Sequence, residues 1–174
     1  MTELQTMLLP FYPAIKAVHV FFVAMWTFST AVAYRYYVVP VFHQWLKNKD
    51  DKALTEKRNW TFEAFDRGVV LEHFAFPVIL ITGVTMVWLN QWPMNQVYWL
   101  TAKLLVVAII FVPMEIVDYH ISHWGGRKTL ALEAGDQDRY ERQIQFHWKF
   151  FVTTAPLIRI FTPLAFFLAV AKPF

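Results

Sequence analysis

The sequence predicts an all-α membrane protein, a four-helix transmembrane bundle of up-and-down topology with both termini on the outer (periplasmic) side. Three observations predict it. The 174 residues are 57% hydrophobic, 18% aromatic and only 17% charged, whereas a soluble domain is about 45–50% apolar and about 25% charged. A soluble chain of this composition could not cover its apolar surface with polar groups. Four apolar stretches follow one another, each near the roughly 20 residues a helix needs to cross a bilayer. Lys and Arg concentrate in two of the three loops between them. The same composition excludes a disordered chain and a nucleic-acid-binding module.

The first span runs from about Ala14 to Phe42, and its stretch Ala17–Ala33 holds no Asp, Glu, Lys or Arg. That run exceeds the apolar core of a signal peptide. The second runs from about Val69 to Asn90, the third from Val97 to His120 and the fourth from Lys149 to Ala171. Lys103, Glu115, Asp118 and Arg159 interrupt the last two. Residues 1–174 therefore read as one integral membrane domain. Between spans one and two, Leu54, Trp60, Phe62 and Phe65 form an apolar stripe. It would lie on the membrane surface or continue span two inward. Gly125-Gly126 and Gly135 punctuate the third loop, and Asp136 is placed to cap a helix running into span four. Pro77, Pro113, Pro156 and Pro163 should kink the spans or free carbonyls locally.

Loop charge sets the orientation. The first loop carries Lys47, Lys49, Lys52, Lys57, Arg58 and Arg67, and the third carries Arg127, Lys128, Arg139 and Arg142. The second, from Asn90 to Trp99, carries no charge. The positive-inside rule puts loops one and three in the cytoplasm of a multi-pass protein of the bacterial inner (cytoplasmic) membrane. Trp88, Trp92, Tyr98 and Trp99 at one boundary, and Tyr34, Tyr36, Tyr37 and Trp45 at the other, are the expected interfacial aromatics.

An ionisable group at mid-bilayer costs about 2.5–3.5 kcal/mol on insertion scales, so each asks for a partner or a function. At 1.5 Å rise per residue, His19 of span one and Lys103 of span three share the outer half of the bilayer and would face each other across the core. His73, His120, His123 and His147 gather toward the inner side, with His73 set against His147. The absence of cysteine excludes disulfides, thiolate haem and iron–sulfur clusters. Histidines in a membrane bundle then point to haem b, one or two per chain. The candidate metal ligands are His19, His73, His120 and His147. Phe21, Phe22, Trp26, Phe74 and Phe76 would wall a porphyrin, and Arg159, Arg35 or Lys103 would meet its propionates. Plainer roles stand beside these. His43, His123 and His147 suit an interface singly, and His73 can pair with Glu72. Glu115 and Asp118 either make a proton path or pair with Arg159. The spacing Asp118-x-His120-x-x-His123 could also hold iron or zinc. Nucleotide and hydrolase motifs are missing.

Three stretches carry a resemblance. Ile15–Val20 (IKAVHV) with Trp26, Trp99–Leu104 (WLTAKL) and the ending Val170–Phe174 (VAKPF) resemble the HemJ family, the small membrane protoporphyrinogen IX oxidases, in span order along the whole chain. The resemblance implies a haem b protein in which His19 and Lys103 are the functional, catalytic pair. His19 would bind iron, and Lys103 would be a ligand, a proton acceptor or a propionate partner. The implied reaction removes six electrons and six protons from protoporphyrinogen IX to give protoporphyrin IX, with electrons passing to quinone or a respiratory chain. The chain departs from the family at Thr101, where a His is usual, at Thr153–Pro156 before the last span, and in a missing His-Gly pair. His73, His120, His123 and His147 are additional. Those departures carry the other reading, a haem-bearing electron-transfer or structural subunit of a larger membrane redox complex. Expected partners are membrane lipid, a porphyrinogen or quinone, and copies of itself or other subunits.

Overall fold

The computed structural model describes residues 1–173, the side chain of Thr30 excepted. Phe174, the last residue of the VAKPF ending, lies outside the described residues. The described chain is mostly helical, without strands among the described residues, and four of its helices are long and apolar enough to cross a membrane. Helix α1 covers Glu3–Lys47, α2 Lys52–Asn90, and α3 the consecutive segments Tyr98–Val106, Val107–Phe111 and Val112–His123. A short α4, Lys128–Glu133, precedes the 35-residue α5, Gln137–Ala171.

Local chemistry explains the ends. Thr2 and Gln5 form a capping box that starts α1, satisfying two otherwise orphaned amides. The Asp51 side chain accepts from the Leu54 amide at 3.2 Å to begin α2. Gly135 takes φ +68° to end α4, a left-handed conformation that glycine adopts without Cβ strain. Asp136 then caps α5, accepting from the Arg139 amide at 2.8 Å. The stripe of Leu54 to Phe65 belongs to α2, which continues through Gly68 into its apolar half.

Prolines act in two ways. Pro77, Pro156 and Pro163 sit inside α2 and α5 without ending them. Pro40 and Pro113 each follow a π-turn, Tyr34–Val38 and Val107–Phe111. A proline donates no amide and clashes with the carbonyl four residues back. Widening the preceding turn relieves both effects and rotates the rest of the helix.

The helices pack α1 on α2 and α3 on α5. Trp26, Ala75, Phe76, Phe111 and Met114 join α1, α2 and α3 in a central cluster, with Phe150, Ile158 and Phe161 of α5 against it. A second cluster, including Phe42, Phe62, Phe65, Tyr140, Ile144 and Phe151, lies toward the loops rich in Lys and Arg. Opposite it, Gln5 donates to the Trp88 carbonyl at 2.9 Å and the Lys172 ammonium lies over Trp99. The chain's two ends therefore meet the uncharged loop. Around the outside, Phe21, Phe28, Ile81, Val84, Ile109 and Ile160 are more than 60% exposed. That is the surface a bilayer solvates and water does not.

Candidate functional site

His19 is buried against α2, 8% exposed. Its Nδ1 lies 2.9 Å from the Thr82 hydroxyl. Thr82 in turn donates to the Val78 carbonyl at 2.6 Å, so its free lone pair receives Nδ1–H from the imidazole. Nε2 is left with its lone pair and makes no hydrogen bond to the described residues. Gly83 makes room for the ring, since a Cβ there would come within 3.3 Å of His19 Cε1. The half-buried Lys103 is near enough for its charge to act on His19. The direct packing partner of His19 is nonetheless Thr82 on α2 rather than a residue across the core on α3.

Trp26 and Arg159 belong elsewhere. Both line a cavity of about 550 Å³ between α1, α3 and α5. Its exposed side carries Arg35, Tyr36 and Arg159, and its interior holds Glu72, Glu115 and Asp118, which are 4%, 8% and 5% exposed. Trp26 donates its indole N–H to Glu115 Oε1 at 2.6 Å and stacks edgewise on Phe111. Glu72 Oε2 and Asp118 Oδ1 have no hydrogen-bond partner among the described residues. Buried carboxylate oxygens without donors are costly, so the cavity is built to receive hydrogen-bond donors or protons inside and anions at its rim. Arg159 shares that cavity with Glu115, but no ion pair joins the two among the described residues.

The histidines on the basic-loop side do not all converge. His73 Nε2 lies 3.3 Å from Asp118 Oδ2, and its Nδ1 lies 2.8 Å from His123 Nε2. His147 is fully buried beneath Phe62, Phe65 and Phe151. Its Nδ1 accepts from the Lys128 ammonium at 2.7 Å, and its Nε2 lies 3.6 Å from Asp118 Oδ1. His73 and His147 therefore meet through Asp118 rather than directly. His120 is exposed and packs on Gly125 and Gly126. Among the described residues no three His, Asp or Glu side chains are arranged to hold a metal ion. Three of the four ring nitrogens of His73 and His147 are engaged by protein groups.

Beyond the apolar spans this network ends in Lys128, Asp66 and His147. The Lys128 ammonium, fully buried, donates to Asp66 Oδ2 at 2.6 Å. Burial raises the Asp66 carboxyl to about 6 against the pull of Lys128. Burial, helped by the Lys128 charge, lowers His147 to about 4. Arg58, 1% exposed, makes a two-pronged ion pair with Glu141 and covers the Trp45 ring.

No protein-family model, characterised protein or solved structure matches the chain. What fold and site define is a class, a multi-pass all-helical membrane protein with an acidic cavity inside its bundle.

Proposed function

We propose that the chain is a haem b redox protein of the bacterial inner membrane that oxidises protoporphyrinogen IX to protoporphyrin IX, with an up-and-down topology, cytoplasmic basic loops and periplasmic termini. The observation that carries this reading is the cavity, with arginines at its rim and buried, partly unpartnered carboxylates inside. A porphyrinogen has the complementary chemistry, carboxylates on one edge and pyrrole N–H groups at its centre. Arg35 and Arg159 would hold the propionates through charge-assisted bonds, with Trp26 and Phe151 as apolar walls. Glu72 and Glu115 would receive protons as the macrocycle is oxidised, the role a positioned carboxylate serves best in a dry site.

His19 is the residue that would hold haem iron. An imidazole whose Nδ1–H is held by a second residue presents Nε2 in a fixed direction, the arrangement typical of histidine ligands. Gly83 leaves the ring the space it needs. His19 would hold the iron, and Lys103 would serve as a propionate partner or proton acceptor. When bound, haem b would supply one-electron chemistry, with a quinone as the final electron acceptor.

The test is porphyrin fluorescence from protoporphyrinogen IX, measured with the purified chain in nanodiscs containing quinone, together with a pyridine haemochrome assay. Expected are porphyrin formation and one haem per chain, lost in His19→Gln. Haem without porphyrin formation would assign the chain to electron transfer within a larger complex. Neither haem nor porphyrin would refute both readings.

A further inference from the structure

Protons taken up by carboxyls deep in an apolar bundle must still reach water. Asp118 lines the cavity, its Oδ1 without a hydrogen-bond partner among the described residues. Its Oδ2 faces His73 Nε2 at 3.3 Å, and His73 Nδ1 faces His123 Nε2 at 2.8 Å. His73 is buried, whereas His123, in the last turn of α3, is half-buried at the end of the molecule that carries the basic loops. We propose that Asp118, His73 and His123 form a proton route between the cavity and that surface.

An imidazole accepts a proton on one nitrogen while releasing one from the other, which suits both rings to relay. In the outward step the Asp118 O–H bond breaks as an N–H bond forms at His73 Nε2. The Nδ1–H bond of His73 breaks as one forms at His123 Nε2, and His123 gives its Nδ1 proton to water. One proton enters, one leaves, and no electrons move. The Asp118 charge acts on Glu72 from α2 and on Glu115 from α3, while His73 from α2 and His147 from α5 face Asp118 itself. Burial, the His73 ring and the Arg127 and Lys128 charges hold His123 below the ordinary histidine value despite Asp118, which favours release. The branch through His147 is closed, because the Lys128 ammonium donates to Nδ1 and has no lone pair to accept a proton.

The proposal goes beyond the tetrapyrrole reading and rests on it only for the source of the protons. Its test needs neither substrate nor haem. In the full chain in nanodiscs, a pH jump is followed by infrared spectroscopy of the protonated-carboxyl band. Protonation should slow by about a hundredfold in His73→Gln and in His123→Gln, the low end of what a positioned acid–base group contributes. Added imidazole should restore the rate in His123→Gln, where the gap reaches water, and not in His73→Gln. His43→Gln, exposed and off the route, should match the parent. A His123→Gln rate equal to the parent's, or slowing confined to His147→Gln, would overturn the route.

Discussion

An imidazole's metal-binding nitrogen is chosen by what its other nitrogen holds. At His19 that choice belongs to Thr82, whose hydroxyl is oriented by its own bond to Val78. Thr82→Val keeps the shape of the side chain and removes the acceptor. Haem affinity should fall by about 10–100-fold, the usual cost of losing such a partner, with His19 still present. Titration of haem into the apo-chain, read at the Soret band, measures this, and unchanged affinity would show that Thr82 serves packing alone. Under the proposed function, the cavity would divide binding from chemistry in the same residue-by-residue way. Arg159→Ala should raise KM for protoporphyrinogen about tenfold or more, as expected for a lost charge-assisted bond, with kcat little changed. Glu115→Gln should do the reverse, lowering kcat by about a hundredfold. Steady-state porphyrin fluorescence separates the two. His19, Lys103, Trp26 and Arg159 stand out in the sequence because each is a polar or bulky exception in an apolar run. Their division between a Thr82-bound imidazole and a separate cavity is invisible there, since spacing along one helix does not say which neighbouring helix each side chain meets: His19 meets Thr82 on α2, and Trp26, two turns on, meets Glu115 on α3.

Charges in the loops show a different limit of sequence reading at the level of elements. Lys128 and Arg58 count among the basic residues that orient the chain, yet both are buried and bind α4 and α5 to the first half of α2. Charge alone does not distinguish a residue facing water from one facing Asp66. The capping role of Asp136 was legible, because it depends on near neighbours in sequence; the Leu54–Phe65 stripe left two placements open, and the structure takes the continuation into α2. Removing one partner of a buried ion pair typically costs about 3–5 kcal/mol, whereas replacing both by apolar groups is often neutral. Lys128→Met should accordingly lower the thermal midpoint in detergent strongly, and adding Asp66→Leu should recover most of the loss. The pH dependence of this junction has a definite sign. His147, lowered from 6.5 to about 4, contributes stability at and above its unfolded value and loses it as pH falls toward 4. Asp66, raised from 3.8 to about 6, contributes at low pH and loses it as pH rises toward 6. The two largely offset between pH 4 and 6. His147→Gln removes only the first, so its midpoint should fall as pH rises through that window. A midpoint that rises instead would reverse the assignment of charge between the two groups.

For the whole molecule, helix length and hydropathy describe different things. The second long helix has 39 residues, about 58 Å at 1.5 Å per residue, against a hydrocarbon core of about 30 Å. Hydropathy located the apolar part of each helix because lipid solvates any apolar face alike. It gave less information about the helical extensions, where Phe42, Phe62, Phe65 and Tyr140 are buried by protein. The ends of those extensions carry most of the Lys and Arg, which makes orientation the most consequential property still to be measured. The chain contains no cysteine, so a single introduced thiol reports one position without background. Lys49→Cys, between the first two long helices, and Asp138→Cys, at the start of the last, should react with a membrane-impermeant maleimide only after the bacterial inner membrane is opened. Thr2→Cys and Asn95→Cys should react in intact spheroplasts. The hydrogen bonds that tie Gln5 to Trp88 and Gln91 require Thr2 and Asn95 to label from the same side, whichever side that is. Joint labelling from the cytoplasm would preserve the fold but turn the Asp118–His73–His123 route toward the periplasm. Labelling of the two from opposite sides would contradict the fold itself.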